Sequence, residues 1–278
     1  MKSYVTSLST ESYLPGVFAL NESLRRVESS HPLLVLTSPG IVPAVSNKLL
    51  QAGMAVKGVP ASVPVPADLK AASGHWGHTF DKLHVFGLTE YDKLVYVDSD
   101  MIVLTNIDEL FDKPHMSAVA AGQLLNPAWN RLNSGLMAIV PESGLPEKIA
   151  LTLDKARSDQ ALGGATAIGD QDLINAYYSK WASSPELHLD QGYNVFQCDL
   201  DAYIEKQGYR LPEDAGQHER TVKIVHFIGP QKPWMKGASL KHYVNVVRKR
   251  GAVRWERRIF SAYKKVIKQS AISLDAQR

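Results

Sequence analysis

The apolar positions of this chain fall into short runs separated by polar turns, and their spacing alternates between two periods. Lys93 to Val97 (KLVYV) is β-branched and aromatic with almost no polar relief, the pattern of a buried strand. Tyr4-Val5-Thr6 begins a similar β run almost at the first residue, followed by Ser7-Leu8-Ser9-Thr10, which reads as a small-polar turn. Tyr13 to Arg26 then places Val17, Leu20 and Leu24 at helical spacing. Leu33 to Thr37 predicts a second strand, Val42 to Ala52 a helix and Ala55 to Val59 a third strand. The order β-α-β-α-β predicts a parallel, doubly wound α/β sheet.

Further along, Pro60 to Pro66 carries three prolines and predicts a loop, as does the small-residue stretch Ala71 to Gly77. Thr79 is placed to cap a helix over Phe80 to Leu88. Met101 to Leu104 continues extended, Asn106 to Phe111 reads as a short helix and Met116 to Ala121 as a strand. Asn133-Ser134-Gly135 reads as the turn entering the strand Leu136 to Val140. Leu145 to Lys155 is expected to be helical, Ser158 to Gly169 a loop, and Asp170-Gln171-Asp172 the opening of another helix. Tyr193-Asn194 falls on or beside a strand, and Val222 to Phe227 is the last clear strand.

Charge and cysteine content narrow the field. Lys and Arg number 31 against 28 Asp and Glu, too small an excess to call for a nucleic-acid partner. The excess is local: twelve Lys or Arg against one acid lie between Lys232 and Lys268. Trp255, Ile259, Tyr263 and Val266 fall at helical spacing there, which predicts a basic C-terminal helix packed on the domain; a membrane-surface helix is the competing reading. The single Cys198 excludes an internal disulfide and favours a reducing, cytoplasmic setting. Met1-Lys2-Ser3-Tyr4 enters a strand-like run at once, so no signal peptide is expected, and no apolar stretch reaches membrane-spanning length.

The chemistry concentrates where the buried run Lys93 to Val97 meets Asp98-Ser99-Asp100. Two carboxylates at the C-terminal end of a core strand lie where open α/β sheets bind ligands, and hard oxygen pairs suit Mg²⁺ or Mn²⁺. An isolated pair of this kind more often only caps a turn. His226 ends the last strand and leads into Gly229-Pro230-Gln231-Lys232-Pro233-Trp234, which fits a third metal ligand followed by a phosphate-binding loop. The first strand and turn lack both the dinucleotide fingerprint and the P-loop pattern.

Taken in order from residue 4 to residue 234, these motifs resemble glycosyltransferase family 8, the glycogenin and galactinol synthase group. The resemblance rests on Tyr4-Val5-Thr6 with Tyr13, Lys82-Leu83 with Tyr91 and Lys93, Asp98-Ser99-Asp100, Asn106-Ile107-Asp108, Asn133-Ser134-Gly135, Asp170-Gln171, Tyr193-Asn194 and HFIGPQKPW. It implies a GT-A fold, a Rossmann-like central mixed sheet flanked by helices, over residues 1–234, with 235–278 as a basic helical extension. It implies retaining transfer of a hexose, glucose or galactose, from a UDP-sugar, with Mn²⁺ as the usual ion and Mg²⁺ as the other candidate. By position, Asp98, Asp100 and His226 would ligate the metal. Val5, Thr6, Leu8 and Tyr13 would hold the uridine, and Ser99 would approach the ribose. Lys82, Asn133, Ser134, Asp170 and Gln171 would surround the donor sugar, with Asp170, Gln171 and Lys82 nearest the chemistry. Gly229 and Lys232 would bind the diphosphate. The acceptor is left open among a polyol, a glycan and a lipid-linked sugar, as are a homodimer and peripheral membrane contact.

One departure bears on the acceptor. Glycogenin carries an acceptor tyrosine shortly after its YN motif, and the equivalent position here is Asp201, with Tyr203 displaced by two. Self-glucosylation is therefore not the expected activity. A catalytically silent binding module and a nucleotidyltransferase are the competing classes; the full metal set weighs against the first and the absence of a basic Gly-rich first turn against the second.

Overall fold

The computed structural model describes residues 1–60, 74–163, 168–216, 220–235 and 254–275, with side chains at 74–79, 159–163 and 271–275 not described. The proline-rich stretch after Pro60, the residues His75, His78 and Thr79 as side chains, and most of 235–253 therefore lie outside the described residues.

Six strands form the central sheet in the order β3-β2-β1-β4-β7-β6. They are β1 (Lys2–Leu8), β2 (Leu33–Thr37), β3 (Ala55–Gly58), β4 (Lys93–Val97), β6 (Ser117–Val119) and β7 (Asn133–Ile139). β3, β2, β1 and β4 are parallel, as the β-α-β-α-β order demands, with Val5 opposite Tyr96 and Thr6 opposite Val35. β7 then runs antiparallel to β4, and β6 antiparallel to β7, so the whole sheet is mixed. A smaller sheet, β5-β9-β8, joins β5 (Met101–Val103), β9 (Ile224–His226) and β8 (Val195–Phe196).

The helices α1 (Leu14–Arg26) and α2 (Pro43–Gln51) bury Val17, Leu20, Leu24, Val45 and Leu49 against one face of the sheet. The other face carries Phe80, Leu83, Phe86, Leu173 and Ile174. Full burial of β4, Leu94 to Val97 being 0% exposed, explains its unbroken apolar sequence.

Several boundaries differ from the sequence reading. Ser7 and Leu8 belong to β1 and not to a turn, because both still pair with β2. Asn133-Ser134-Gly135 lies on β7, its polar side chains tolerated because each finds a partner at the sheet end. Residues 158–163, expected to be loop, continue the helix Leu153–Gly163. Gly74–Gly87 winds as 3₁₀ turns and not as a regular α-helix.

The C-terminal helix Arg254–Asp275 packs Ile259, Phe260, Tyr263 and Val266 against Phe227 and Val225 beside β9. Its first turn is held by Asp201, whose two carboxylate oxygens accept the Trp255 and Glu256 N–H groups at 3.1 and 3.0 Å. Among the described residues no helix is long and apolar enough to cross a membrane.

Candidate active site

The site forms at the C-terminal ends of β1 and β4, where β5, β7 and β9 converge. β4 ends at Val97, and the turn Asp98-Ser99-Asp100 carries the chain from the central sheet into β5. β5 pairs with β9 so that Met101 lies opposite His226, which brings the imidazole beside the carboxylates. His226 Nε2 lies 3.2 Å from Asp100 Oδ1 and 3.9 Å from Asp98 Oδ2. One ligand atom from each of Asp98, Asp100 and His226 lies within 4.8 Å of the others.

Two buried lysines complete the charge pattern. Lys232 Nζ is 2.7 Å from Asp100 Oδ2 and donates also to the Phe227 carbonyl at 2.7 Å. Lys82 Nζ lies between Asp98 Oδ1 at 3.0 Å and Asp170 Oδ2 at 2.9 Å. Burial alone would lower the Lys82 pKa, but Asp170 and Asp98 outweigh it and hold the ammonium charged, well above the usual lysine range. Burial likewise would raise Asp100; His226 and Lys232 outweigh it and hold Asp100 below the usual carboxylate range. Three carboxylates thus face two ammonium groups, and the surplus negative charge together with the two-oxygen, one-nitrogen donor set fits a divalent cation.

The β7 residues line the opposite wall. Ser134 Oγ donates to Asp170 Oδ2 at 2.7 Å. Gln171 Oε1 accepts from the Ser134 N–H at 3.1 Å and from Asn133 Nδ2 at 3.0 Å. Both acidic and amide groups come from the first turn of the helix Asp170–Tyr177, where its dipole favours negative charge.

The residues expected to hold the uridine are buried to different degrees. Val5 and Leu8 are fully buried in the core, each 0% exposed. Thr6 Oγ1 is buried and has no hydrogen-bond partner among the described residues. Tyr13 is half-buried, with its ring 5.7 Å from Lys232 Nζ and edge-on to Trp234 at 5.7 Å. Ser99 is buried on the turn, and Gly229 adopts φ +87° in the loop after β9, a conformation that favours glycine.

Three further residues take part in the site: Tyr96 and Gly16, which the sequence pattern does not signal, and Asn194, which it marks only as half of the Tyr193-Asn194 motif. The Tyr96 hydroxyl donates to Asp98 Oδ1 at 2.8 Å and pairs with Ser7 Oγ at 2.8 Å, yet in sequence Tyr96 is only one aromatic in a core strand. Gly16 lies directly under the acidic turn; a Cβ there would collide with the Ser99 carbonyl and come within 2.8 Å of the Trp234 ring. Asn194 joins Asn133 to His226, with its Nδ2 2.9 Å from Asn133 Oδ1 and its Oδ1 3.1 Å from His226 Nδ1.

Comparison with known proteins agrees with this geometry. A family profile described as Glycosyl transferase family 8 matches residues 4–238. Glycogenin-1 of Mus musculus is 29% identical over 242 residues, covering 84% of this chain and 65% of the mouse protein. Inositol phosphorylceramide glucuronosyltransferase 1 of Arabidopsis thaliana is 29% identical over 248 residues, covering 83% of this chain and 42% of that protein. The chain therefore spans less than two thirds of either relative's length. The solved galactosyltransferase LgtC, in complex with donor and acceptor sugar analogues, superposes with a TM-score of 0.55 at 16% identity, covering 94% of this chain and 100% of that one. The architecture is thus a GT-A fold.

Proposed function

The chain belongs to glycosyl transferase family 8, and from that membership we propose that it transfers a hexose from a UDP-sugar to an acceptor hydroxyl, with retention and with a divalent metal. The observation that carries this reading is the meeting of Asp98, Asp100 and His226 with Lys232 on Asp100.

Asp98, Asp100 and His226 would hold Mn²⁺ or Mg²⁺, and the ion would supply positive charge to the diphosphate leaving group. Lys232, on the loop after β9 and paired with Asp100, would leave that carboxylate for the same phosphates. Gly229 lets that loop's backbone turn toward the anion. Thr6 Oγ1, without a partner among the described residues, and the half-buried Tyr13 suit the uridine, and Ser99 the ribose. Lys82, Asn133, Ser134, Asp170 and Gln171 form the donor-sugar wall.

In the transfer, the bond from the anomeric carbon to the diphosphate oxygen breaks and its electron pair leaves with UDP. The acceptor oxygen bonds to the same carbon from the same face and gives its proton to the departing phosphate oxygen. Front-face attack is favoured over double displacement by the state of the two candidate nucleophiles. Gln171 Oε1 already accepts two hydrogen bonds, and Asp170 Oδ2 is engaged by Lys82 and Ser134.

Transfer to a separate acceptor is supported over self-glucosylation. Asp201 caps the C-terminal helix, and Tyr203 is fully buried with its hydroxyl on Gln191 Oε1 at 2.7 Å. Glucose and galactose are the donor sugars to test first; polyols, glycans and lipid-linked sugars are the acceptor classes. UDP release from each donor with Mn²⁺, with and without acceptor, followed by mass analysis of the product, tests the reading.

A further inference from the structure

We propose that Asn194 is a positioning residue that, through Asn133, holds a proton on His226 Nδ1 and turns the ring so that Nε2 faces Asp98 and Asp100. This inference rests on the metal reading above for its purpose, but its geometry stands apart from any ion.

The donors and acceptors of this network cannot be exchanged. A backbone N–H can only donate. The Ser134 N–H meets the Gln171 side chain at 3.1 Å, so the atom there is the carbonyl Oε1. The Gly135 N–H meets Asn133 at 3.0 Å, so that atom is Oδ1, and Asn133 Nδ2 must therefore be the group that faces Gln171. Asn133 Oδ1 also meets Asn194 at 2.9 Å, so Asn194 presents its amide nitrogen on that side. Its carbonyl Oδ1 is then the atom that faces His226 Nδ1 at 3.1 Å. A carbonyl accepts, so Nδ1 must carry a proton. The other ring nitrogen, Nε2, is then the atom turned to Asp100 Oδ1, 3.2 Å away.

Two peptide N–H groups thus set the sense of a four-residue chain that ends at the imidazole. Asn194 is 0% exposed and His226 is buried, so water does not compete for the bond between them. The same logic orients metal-bound histidines generally: an acceptor on the remote nitrogen fixes tautomer and ring angle. The chain also connects the two halves of the site, because it starts on Gln171 at the donor-sugar wall and ends on the side of Asp100.

Nitrogen-15 NMR of the histidine rings in metal-free protein reads directly which ring nitrogens carry a proton. Wild type is expected to show His226 with a proton on Nδ1. Asn194→Leu, which keeps the volume but accepts nothing, is expected to give a mixture or the Nε2–H form. Its affinity for Mn²⁺ alone, from the electron paramagnetic resonance of free ion, is expected to fall by about 10- to 100-fold. Asn194→Asp retains an acceptor and is expected to keep the Nδ1–H form. Finding wild type as the Nε2–H tautomer overturns the proposal, a result that needs no variant to fold. So does a folded Asn194→Leu with tautomer and affinity unchanged. A wild-type Nδ1–H tautomer without Mn²⁺ binding supports the relay and removes the metal reading instead.

Discussion

Lys232 Nζ rests 2.7 Å from Asp100 Oδ2, both groups buried, so each neutralises the other. Removing the lysine strands a carboxylate. Lys232→Met is therefore expected to lower stability by about 3–5 kcal/mol, as for other broken buried pairs. Mn²⁺ should restore part of that loss in a thermal melt, because the ion takes over the lysine's charge role. An unchanged Tm without metal would contradict the pairing.

Lys82 bridges Asp98 and Asp170 at 3.0 and 2.9 Å. Lys82→Met should depress kcat for hexose transfer by about 100-fold or more, the scale of a lost charge contact in a transition state. Gln171→Glu keeps the acceptor oxygen that Ser134 and Asn133 use. It should fold normally, transfer measurably and accumulate no sugar-modified protein by intact mass under single-turnover conditions. A covalent sugar on residue 170 or 171 would replace front-face attack with double displacement.

Gly16 gives a test with an unusual sign. Glycine to alanine inside a helix ordinarily stabilises by about 1 kcal/mol. Here the added methyl meets the Ser99 carbonyl and the Trp234 ring. Gly16→Ala should instead destabilise by about 1–3 kcal/mol, the cost of overpacking, and weaken Mn²⁺ binding by displacing the turn between Asp98 and Asp100. A higher Tm would refute the close approach.

The sheet core reads well from sequence because burial on both faces leaves a continuous apolar run, as in Leu33 to Thr37 and Lys93 to Val97. Asp98, Asp100 and His226 were legible for a related reason: polar residues ending such runs stand out. Tyr96 and Gly16 did not stand out. A core aromatic and a helical glycine look ordinary until the chain is folded, and only then does Tyr96 reach Asp98 and Gly16 reach Ser99. The antiparallel return through β7 was equally hidden, since strand direction is not written in a run of apolar residues.

His115 provides a pH signature away from the site. Val140 N–H donates to His115 Nδ1 at 3.0 Å, and Nε2 meets the Tyr178 hydroxyl at 2.8 Å. Burial, with Lys93 adding to it, pushes the His115 pKa down from 6.5 to about 4. Between those values the unfolded chain holds a proton that the folded chain refuses. Stability is thus fullest above 6.5 and falls as the pH drops toward 4. Urea unfolding should show a loss of about 1–2 kcal/mol between about pH 7 and about pH 5 that His115→Asn lacks. Identical slopes for the two proteins would remove His115 from the account.

Asp201 ties the C-terminal helix to the rest of the protein through two N–H bonds. Asp201→Ala should cost about 0.5–2 kcal/mol, the worth of a helix cap. Faster amide exchange should appear first at Trp255 and Glu256. Uniform exchange along the helix would mean that packing of Phe260 and Tyr263 alone sets its stability.

Metal-dependent transfer from a UDP-sugar is read out by UDP release together with product mass analysis. With Mn²⁺ and an acceptor, wild type should release UDP from UDP-glucose or UDP-galactose and add one hexose to the acceptor. Chelation, and Asp100→Asn, should each abolish it. Release that persists at full rate in both cases, or no release from any UDP-sugar with Mn²⁺ and acceptors present, would contradict the account.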